Sequence, residues 1–310
     1  MSTDYTTYKE LEKPIVFIGN PRSGTSVISE IVMRHKDIGF ASKFQDKNAQ
    51  NLKINYLRRI LDNRFWRIQG QKKQLNNLGI LNKFTFRTFE NYNMWQEILG
   101  SDVDFRGEFL LNETADPETI YKVREYFQKI VSYQGRKRLA FKITGPSRLG
   151  YIHSIFPDAH FVRIHRKAVP TISSLLKSGF WERRGQKQLW WKGVYSVEEK
   201  KWAEAHKNDP VAMTAFQIKK VTDVTDFEIA KTRADVFDVQ YGDFIQNPEG
   251  IIQGILDYTG LAHDKGCFSY FKKNKIYNRN KKDEEYFEAK DLETIRSIYS
   301  KENQYLASHS

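Results

Sequence analysis

Cysteine and long apolar runs are scarce in this chain. Its 310 residues include a single cysteine, Cys267, so we expect no intramolecular disulfide and no cysteine-rich metal site. No apolar run approaches the roughly 18 residues that a membrane helix needs, and residues 1–13 are polar. We therefore expect neither a membrane span nor a signal peptide, and the composition is typical of a cytoplasmic protein.

Negative charge is the minority sign. Asp and Glu number 38 against 50 Lys and Arg, which gives a net charge of +12. Such an excess favours an anionic partner, such as nucleic acid, anionic lipid or a polyanionic cofactor. The basic residues are interspersed with acidic ones and no recognised nucleic-acid module accompanies them, so we expect no nucleic-acid partner. A non-catalytic polyanion-binding protein remains an alternative that rests on the charge alone.

Two kinds of apolar pattern alternate along the chain. Hydrophobic residues make up 40% of the sequence and aromatic residues 14%, as in globular proteins. Short apolar runs predict strands over residues 15–18, 139–143, 160–165 and 236–241. Apolar residues at helical spacing predict helices over 117–135, 168–176, 197–221 and 248–258. This alternation predicts an α/β fold with a central, mainly parallel β-sheet flanked by helices.

The chain carries no repeat and no linker that would divide it. We therefore expect a single domain over residues 1–310, with its core in 14–262. Segments of about 43–112 and 179–195 are expected to form a lid or to line a substrate site. A basic segment and a final helix are expected in 265–310.

One stretch near the start carries the strongest chemical signal. The strand predicted at residues 15–18 is followed by Gly19-Asn20-Pro21-Arg22-Ser23-Gly24-Thr25-Ser26. A glycine-bounded loop between a strand and a helix directs backbone N–H groups and the helix N-terminus at an anion. An ordinary turn between a strand and a helix is the alternative interpretation.

The stretch resembles a phosphate-binding P-loop, because Gly19 and Gly24 have its spacing and Ser26 has its final hydroxyl position. Thr25, however, stands where a P-loop has the lysine that reaches the terminal phosphates of a nucleoside triphosphate. The cation lies inside the loop instead, at Arg22. The loop is thus poorly suited to an ATPase and well suited to another anion. A P-loop nucleotide kinase or NTPase remains an alternative.

Three motifs, in the correct order, resemble those of the PAPS-dependent sulfotransferase family. Residues 21–26 match the family's first motif, Pro-Arg/Lys-Ser-Gly-Thr-Ser/Thr. Arg166 ends a predicted strand and Ser174 follows eight positions later, which is the spacing of the family's second nucleotide-contact motif. Residues 241–244 resemble the family's Tyr-Glu-Asp segment, with Gly242 in place of the usual glutamate.

The resemblance implies a P-loop-like sulfotransferase fold. It implies transfer of a sulfuryl group from 3′-phosphoadenosine 5′-phosphosulfate (PAPS) to a hydroxyl acceptor, with 3′-phosphoadenosine 5′-phosphate (PAP) as the product. Arg166 and Ser174 are implied at the 3′-phosphate, some distance from the loop that would hold the 5′-phosphosulfate. The implied loop residues are Arg22, Ser23, Gly24, Thr25 and Ser26. Arg22 can also stabilise charge on the bridging oxygen without a metal ion, so we expect no metal.

The general base is the least determined part of this assignment. The acceptor hydroxyl loses its proton during transfer, so a carboxylate or histidine is expected near the loop. Many relatives place this group in the region that matches residues 41–46, where Asp46 is the only carboxylate. Glu90 is the favoured candidate, because its segment resembles an arginine-plus-glutamate segment of some bacterial relatives. Glu108 and Glu113 are further candidates.

Two other features leave alternatives open. Lys142 matches a lysine that related sequences carry at a strand end before a proline-containing turn, but it could equally face solvent from an edge strand. The aromatic segments 84–95 and 180–191 indicate a carbohydrate, glycolipid or aromatic acceptor, since sugar faces and apolar rings stack on tryptophan. Residues 177–192, which combine tryptophan with basic residues, could instead form a lid or a peripheral membrane contact.

Overall fold

A sheet of parallel strands forms the centre of the computed structural model, which describes residues 11–62, 86–273, 276 and 285–307. The five strands found in these residues are ordered β2-β3-β1-β4-β5, and every neighbouring pair is parallel. The strands are β1 (Ile15–Gly19), β2 (Ile38–Gly39), β3 (Arg138–Thr144), β4 (His160–His165) and β5 (Val236–Gln240). The predicted α/β fold with a parallel sheet is confirmed.

Helices cover the sheet and extend beyond it. In chain order they are α1 (Thr25–Val32), α2 (Lys43–Lys47), α3 (Leu57–Leu61, after a 3-10 turn over Leu52–Tyr56), α4 (Tyr92–Leu99), α5 (Pro117–Tyr133), α6 (Leu149–Ile155), α7 (Ala168–Leu176), α8 (Gly179–Glu182), α9 (Val197–Ala205), α10 (Pro210–Thr232), α11 (Tyr241–Gln246), α12 (Pro248–Tyr258), α13 (Lys265–Lys273), α14 (Ala289–Tyr299) and α15 (Gln304–Ala307). No helix within the described ranges combines the length and apolarity needed to cross a bilayer.

Alternate residues of β1 pack into different apolar layers. Ile15 and Phe17 belong to a cluster that includes residues of α1 and α12. Val16 and Ile18 belong to a second cluster, which includes residues of α5 and α6. Because both faces of the strand are covered, all four side chains are fully buried, as expected for the middle of a parallel sheet.

One helix boundary differs from the sequence expectation. The continuous helix predicted over 197–221 is in fact two helices, α9 and α10. Pro210 is the first residue of α10, and the Asp209 side chain accepts a hydrogen bond from the Ala212 backbone N–H at 2.9 Å. A proline cannot donate the backbone hydrogen bond that a continuous helix would require, so it begins a new helix instead.

Parts of two predicted segments lie outside the described residues. These are 63–85, within the segment expected over 43–112, and most of 274–284, within the C-terminal basic segment.

Candidate functional site

The loop between β1 and α1 has the backbone shape of an anion-binding site. Arg22 and Gly24 have positive φ angles of 70° and 101°, so the backbone alternates in handedness before α1 begins at Thr25. Such alternation turns successive N–H groups toward one point. The N-terminus of α1 has no side-chain cap and no acidic residue in its first turn, so its positive end is left for an anion.

Close neighbours leave no room for a side chain at either glycine of the loop. A Cβ atom at Gly19 would lie 2.6 Å from the carbonyl oxygen of Ile164, on the neighbouring strand β4. A Cβ atom at Gly24 would overlap the ring of Tyr241, the first residue of α11. The third motif, residues 241–244, therefore packs directly on the loop through Tyr241.

Arg22, Ser174 and Arg166 form one cluster at the carboxyl end of the sheet. The Nε atom of Arg22 donates to Oγ of Ser174, on α7, at 2.9 Å. The Nη1 atom of Arg166, which follows β4, donates to the carbonyl oxygen of Arg22 at 3.0 Å. Its guanidinium also lies 5.4 Å from the ring centre of Tyr241. The loop and the pair Arg166 and Ser174, which were expected to lie some distance apart, are thus joined through Arg22.

A polar cavity of about 100 Å³ opens beside this cluster. Its lining includes Asn20, Arg166, Thr171 and Thr222. The Nδ2 atom of Asn20 donates to Oγ1 of Thr222 at 3.0 Å, whereas its buried Oδ1 atom has no hydrogen-bond partner within the described residues. The cavity therefore places a cation and several polar side chains next to the loop.

A buried lysine joins the loop to a carboxylate. The Nζ atom of Lys142 lies 2.8 Å from Oγ of Ser26, in the first turn of α1, and 3.1 Å from Oε1 of Glu90. Lys142 is only 5% exposed, because β3 lies between β2 and β1 instead of at an edge. The surface interpretation of this lysine is therefore wrong. A lysine inside the apolar run 139–143 was the signal for a buried cation with a specific partner.

The other two loop hydroxyls contact each other. Oγ of Ser23 and Oγ1 of Thr25 are 2.8 Å apart, and both residues are buried. Of the hydroxyl groups of Ser23, Thr25 and Ser26, the one that contacts Lys142 is that of Ser26.

The two carboxylates considered as general base have different surroundings. Glu90 lies just before α4 and pairs with Lys142. Asp46 belongs to α2 and packs against the N-terminus of α4, where its carboxylate accepts from the backbone N–H of Asn93 at 2.9 Å and from Asn93 Nδ2 at 3.0 Å. Asp46 therefore caps a helix, while Glu90 contacts the lysine beside the loop.

The two segments expected to line a substrate site meet at the same end of the sheet. Glu108 and Lys192 form a parallel bridge between them. The Trp191 ring packs on the turn after β3, where a Cβ atom at Gly145 would lie 2.7 Å from Cζ2 of Trp191. The Gly145 N–H in turn donates to the carbonyl oxygen of Gly19 at 3.1 Å. Residues of both segments thus lie close to the loop.

The chain is similar to solved sulfotransferase structures, of which the first named here supports the fold. The chain is similar to sulfotransferase STF9 from Mycobacterium avium, with a TM-score of 0.53, 18% identity and coverage of 97% of this chain and 77% of that one. It is also similar to sulfotransferase STF1 from Mycobacterium tuberculosis H37Rv, with a TM-score of 0.46, 16% identity and coverage of 93% and 76%. No curated protein sequence matches the chain.

A family model provides the assignment. The model described as "Sulfotransferase family" matches residues 14–265, a range that contains the loop, β3, Arg166, Ser174 and α11. The chain therefore belongs to the sulfotransferase family of PAPS-dependent enzymes.

Proposed function

We propose that this chain transfers the sulfuryl group of PAPS to a hydroxyl group of an acceptor, with in-line displacement at the loop between β1 and α1. The observation that carries the proposal is the junction of two clusters at one loop. Arg22, Arg166 and Ser174 lie on one side, and the Ser26–Lys142–Glu90 chain lies on the other.

The first cluster suits a nucleotide with two anionic ends. The backbone N–H groups at the start of α1 would hold the 5′-phosphosulfate of PAPS. Arg166 and Ser174 would hold its 3′-phosphate, because a guanidinium and a hydroxyl are good donors to phosphate oxygens. Arg22, which contacts Ser174, links the two ends.

The second cluster suits group transfer. When bound, PAPS supplies the sulfuryl group and departs as PAP. The Lys142 ammonium beside Ser26 adds positive charge where negative charge grows during transfer. Glu90 accepts the proton of the acceptor hydroxyl as that oxygen bonds to sulfur. The Lys142 ammonium, 3.1 Å away, holds this carboxylate beside the loop.

Thermal unfolding with PAP tests the donor assignment. A ligand that binds only the folded state stabilises it by about 2.7 kcal/mol at a hundredfold excess over its Kd. We expect PAP to raise the Tm of the wild-type chain and to do so much less in Arg166→Ala. Lys200→Ala, which removes an exposed lysine of α9, serves as the matched loss of one positive charge and should keep the full shift.

The alternative functions predict other outcomes of the same experiment. A shift with ATP and magnesium but none with PAP would replace this proposal with a nucleotide kinase or NTPase. No shift with either nucleotide, together with salt-sensitive binding to heparin, would favour a polyanion-binding protein.

A further inference from the structure

A second, larger cavity lies where the two substrate segments meet. Its volume is about 320 Å³, and its lining consists of Asp104, Arg106, Gly107, Trp190 and Lys192. Two backbone hydrogen bonds hold its walls together. The Lys192 N–H donates to the carbonyl oxygen of Gly107 at 2.8 Å, and the Phe109 N–H donates to that of Lys192 at 3.1 Å. We call this space the cationic cavity.

Positive charge is concentrated around the cationic cavity. Arg106 and Lys192 line it, and the guanidinium of Arg184 lies 4.5 Å from the ring centre of Trp190. Burial, together with the nearby charges of Arg106 and Arg183, lowers the pKa of Arg184. Like charges near one another repel, and an anion bound between them would offset that repulsion.

The described residues supply little negative charge to offset these cations. Within the described ranges, no ion pair joins Arg106, Arg184 or Lys192 to a carboxylate. Asp104 lines the cavity and its Oδ1 atom accepts the Gly107 N–H at 2.7 Å, but its single negative charge offsets only one of the three cations. The cavity therefore keeps a net positive charge.

Arg106, on the wall of the cationic cavity, contacts the segments that follow Glu90 and Lys142 in the chain. Nη1 of Arg106 lies 3.4 Å from Oδ1 of Asn93, on the first turn of the helix that follows Glu90. The carbonyl oxygen of Arg106 accepts from Nη2 of Arg148, in the turn after β3, at 3.3 Å. On the opposite wall, Trp190 precedes Trp191, which packs on that same turn. The cavity thus opens beside the segments that carry Glu90 and Lys142.

We propose that the cationic cavity binds an anionic group of the acceptor, a carboxylate, sulfate or phosphate attached to a ring that lies against Trp190. The inference rests on the proposed sulfuryl transfer and adds the class of acceptor to it. Arg106 and Lys192 donate to the anion, and the half-buried Trp190 supplies a flat apolar surface to the ring. The acceptor is therefore an anionic ring compound with a free hydroxyl group.

Binding of matched probe pairs to the PAP-saturated protein tests this inference. One pair is 4-nitrophenyl β-D-glucuronide and the neutral 4-nitrophenyl β-D-glucoside, which represents acidic sugars. The other is 4-hydroxyphenylacetate and the neutral 2-(4-hydroxyphenyl)ethanol, which represents aromatic acids. We expect the anionic member of at least one pair to bind about tenfold more tightly by calorimetry, the equivalent of one charge-assisted hydrogen bond.

Variants separate the cavity from a general effect of charge. Lys192→Gln should abolish the preference for the anionic probe while the Tm shift with PAP stays unchanged. Lys187→Gln, which alters an exposed lysine of the same segment outside the cavity lining, should keep the preference. Equal binding of both members in both pairs, or an unchanged preference in Lys192→Gln, would overturn the inference. If PAP did not raise the Tm of the wild-type chain, the proposed function would be overturned instead.

Discussion

Lys142 occupies a position that is costly for a lysine. Its side chain is only 5% exposed on an inner strand of the sheet, where an unpaired charge would be strongly destabilising. The Ser26 hydroxyl and the Glu90 carboxylate satisfy it. The same contacts place a cation at the N-terminus of α1, so this chain obtains from β3 the positive charge that a P-loop takes from its own lysine.

Glu90 and Asp46 can be separated by two isosteric substitutions. Glu90→Gln removes the carboxylate that we propose accepts the acceptor proton, so we expect kcat to fall by about 10²–10⁴-fold, the usual contribution of general-base catalysis. Binding of PAP should persist, since Glu90 belongs to the transfer side of the loop. Turnover by release of PAP and the Tm shift with PAP measure the two effects.

Asp46→Asn is the matched control for Glu90→Gln. Because Asp46 accepts from the first turn of α4, its loss of charge should lower the free energy of unfolding by up to about 1 kcal/mol and leave turnover close to that of the wild type. Near-normal turnover in Glu90→Gln would remove Glu90 from the role of base, and an inactive Asp46→Asn would transfer that role to Asp46.

The loop between β1 and α1 is an element whose shape depends on a distant helix. Gly24 lies against the ring of Tyr241, at the start of α11. The guanidinium of Arg166 lies 5.4 Å from the centre of the same ring. Tyr241 therefore supports both the loop and the arginine of the second motif, which explains why three separate segments of the chain are needed for one site.

Gly24→Ala tests the shape of the loop. Its φ of 101° strains any residue with a Cβ atom, and the added methyl group would overlap Tyr241. We expect the affinity for PAP to fall at least about tenfold, from left-handed strain of roughly 1–2 kcal/mol per residue together with displacement of the ring.

Gly242→Ala is the control, because nothing lies within 4 Å of the added methyl group and the position is helical. It should leave the PAP affinity unchanged and stabilise α11 by up to about 1 kcal/mol. If Gly24→Ala bound PAP as tightly as the wild-type chain, the loop would not be the phosphate site.

How far the sequence predicts these elements depends on the range of the signals. The strand–loop–helix at residues 15–32 and the strand–helix pair that carries Arg166 and Ser174 have local patterns, and both have the expected secondary structure. The break at Pro210 also had a local signal, Asp209-Pro210, which the apolar periodicity of the two flanking helices obscured.

The contacts within the site have no local pattern. Lys142 and Ser26 are 116 residues apart in the chain, and the ring of Tyr241 packs on a glycine more than 200 residues away. Strand order decides these contacts, since β3 and β4 flank β1 only after the sheet has formed. The cationic cavity likewise depends on two segments that meet through backbone hydrogen bonds, so the sequence indicated the two segments but neither the individual lining residues nor their assembly.

At the scale of the whole molecule, α10 connects the site to the C-terminal region. Its 23 residues contact α6, α7, α14 and α15. Near its C-terminal end, the buried Glu228 carboxylate accepts from the Ser147 hydroxyl at 2.6 Å and from the backbone N–H groups of Leu149 and Gly150 at 3.2 and 3.1 Å. This carboxylate caps α6 and fixes the turn after β3, on which Trp191 packs.

Glu228 should make the stability of the whole chain depend on pH. Burial raises its pKa above the ordinary value of 4.5, although hydrogen bonds from Ser147, Gly150 and Leu149 oppose the rise. The folded state therefore retains a proton at pH values where the unfolded state has lost it. The resulting contribution to the free energy of unfolding is fully present below about pH 4.5 and is lost as the pH rises through the folded-state pKa.

Urea unfolding of the wild-type chain and Glu228→Gln from about pH 5 to about pH 8 measures this contribution. The free energy of unfolding of the wild type, minus that of the variant, should decrease with rising pH by about 1.4 kcal/mol for each unit by which the pKa is raised. Glu198→Gln is the control. Hydrogen bonds from its own backbone N–H and from Ser196 lower the pKa of the exposed Glu198 in the folded state. Its free energy difference should therefore not decrease as the pH rises over this range. A pH-independent difference for Glu228→Gln as well would mean that the carboxylate is ionised in the folded chain, with its three hydrogen bonds outweighing the cost of burial.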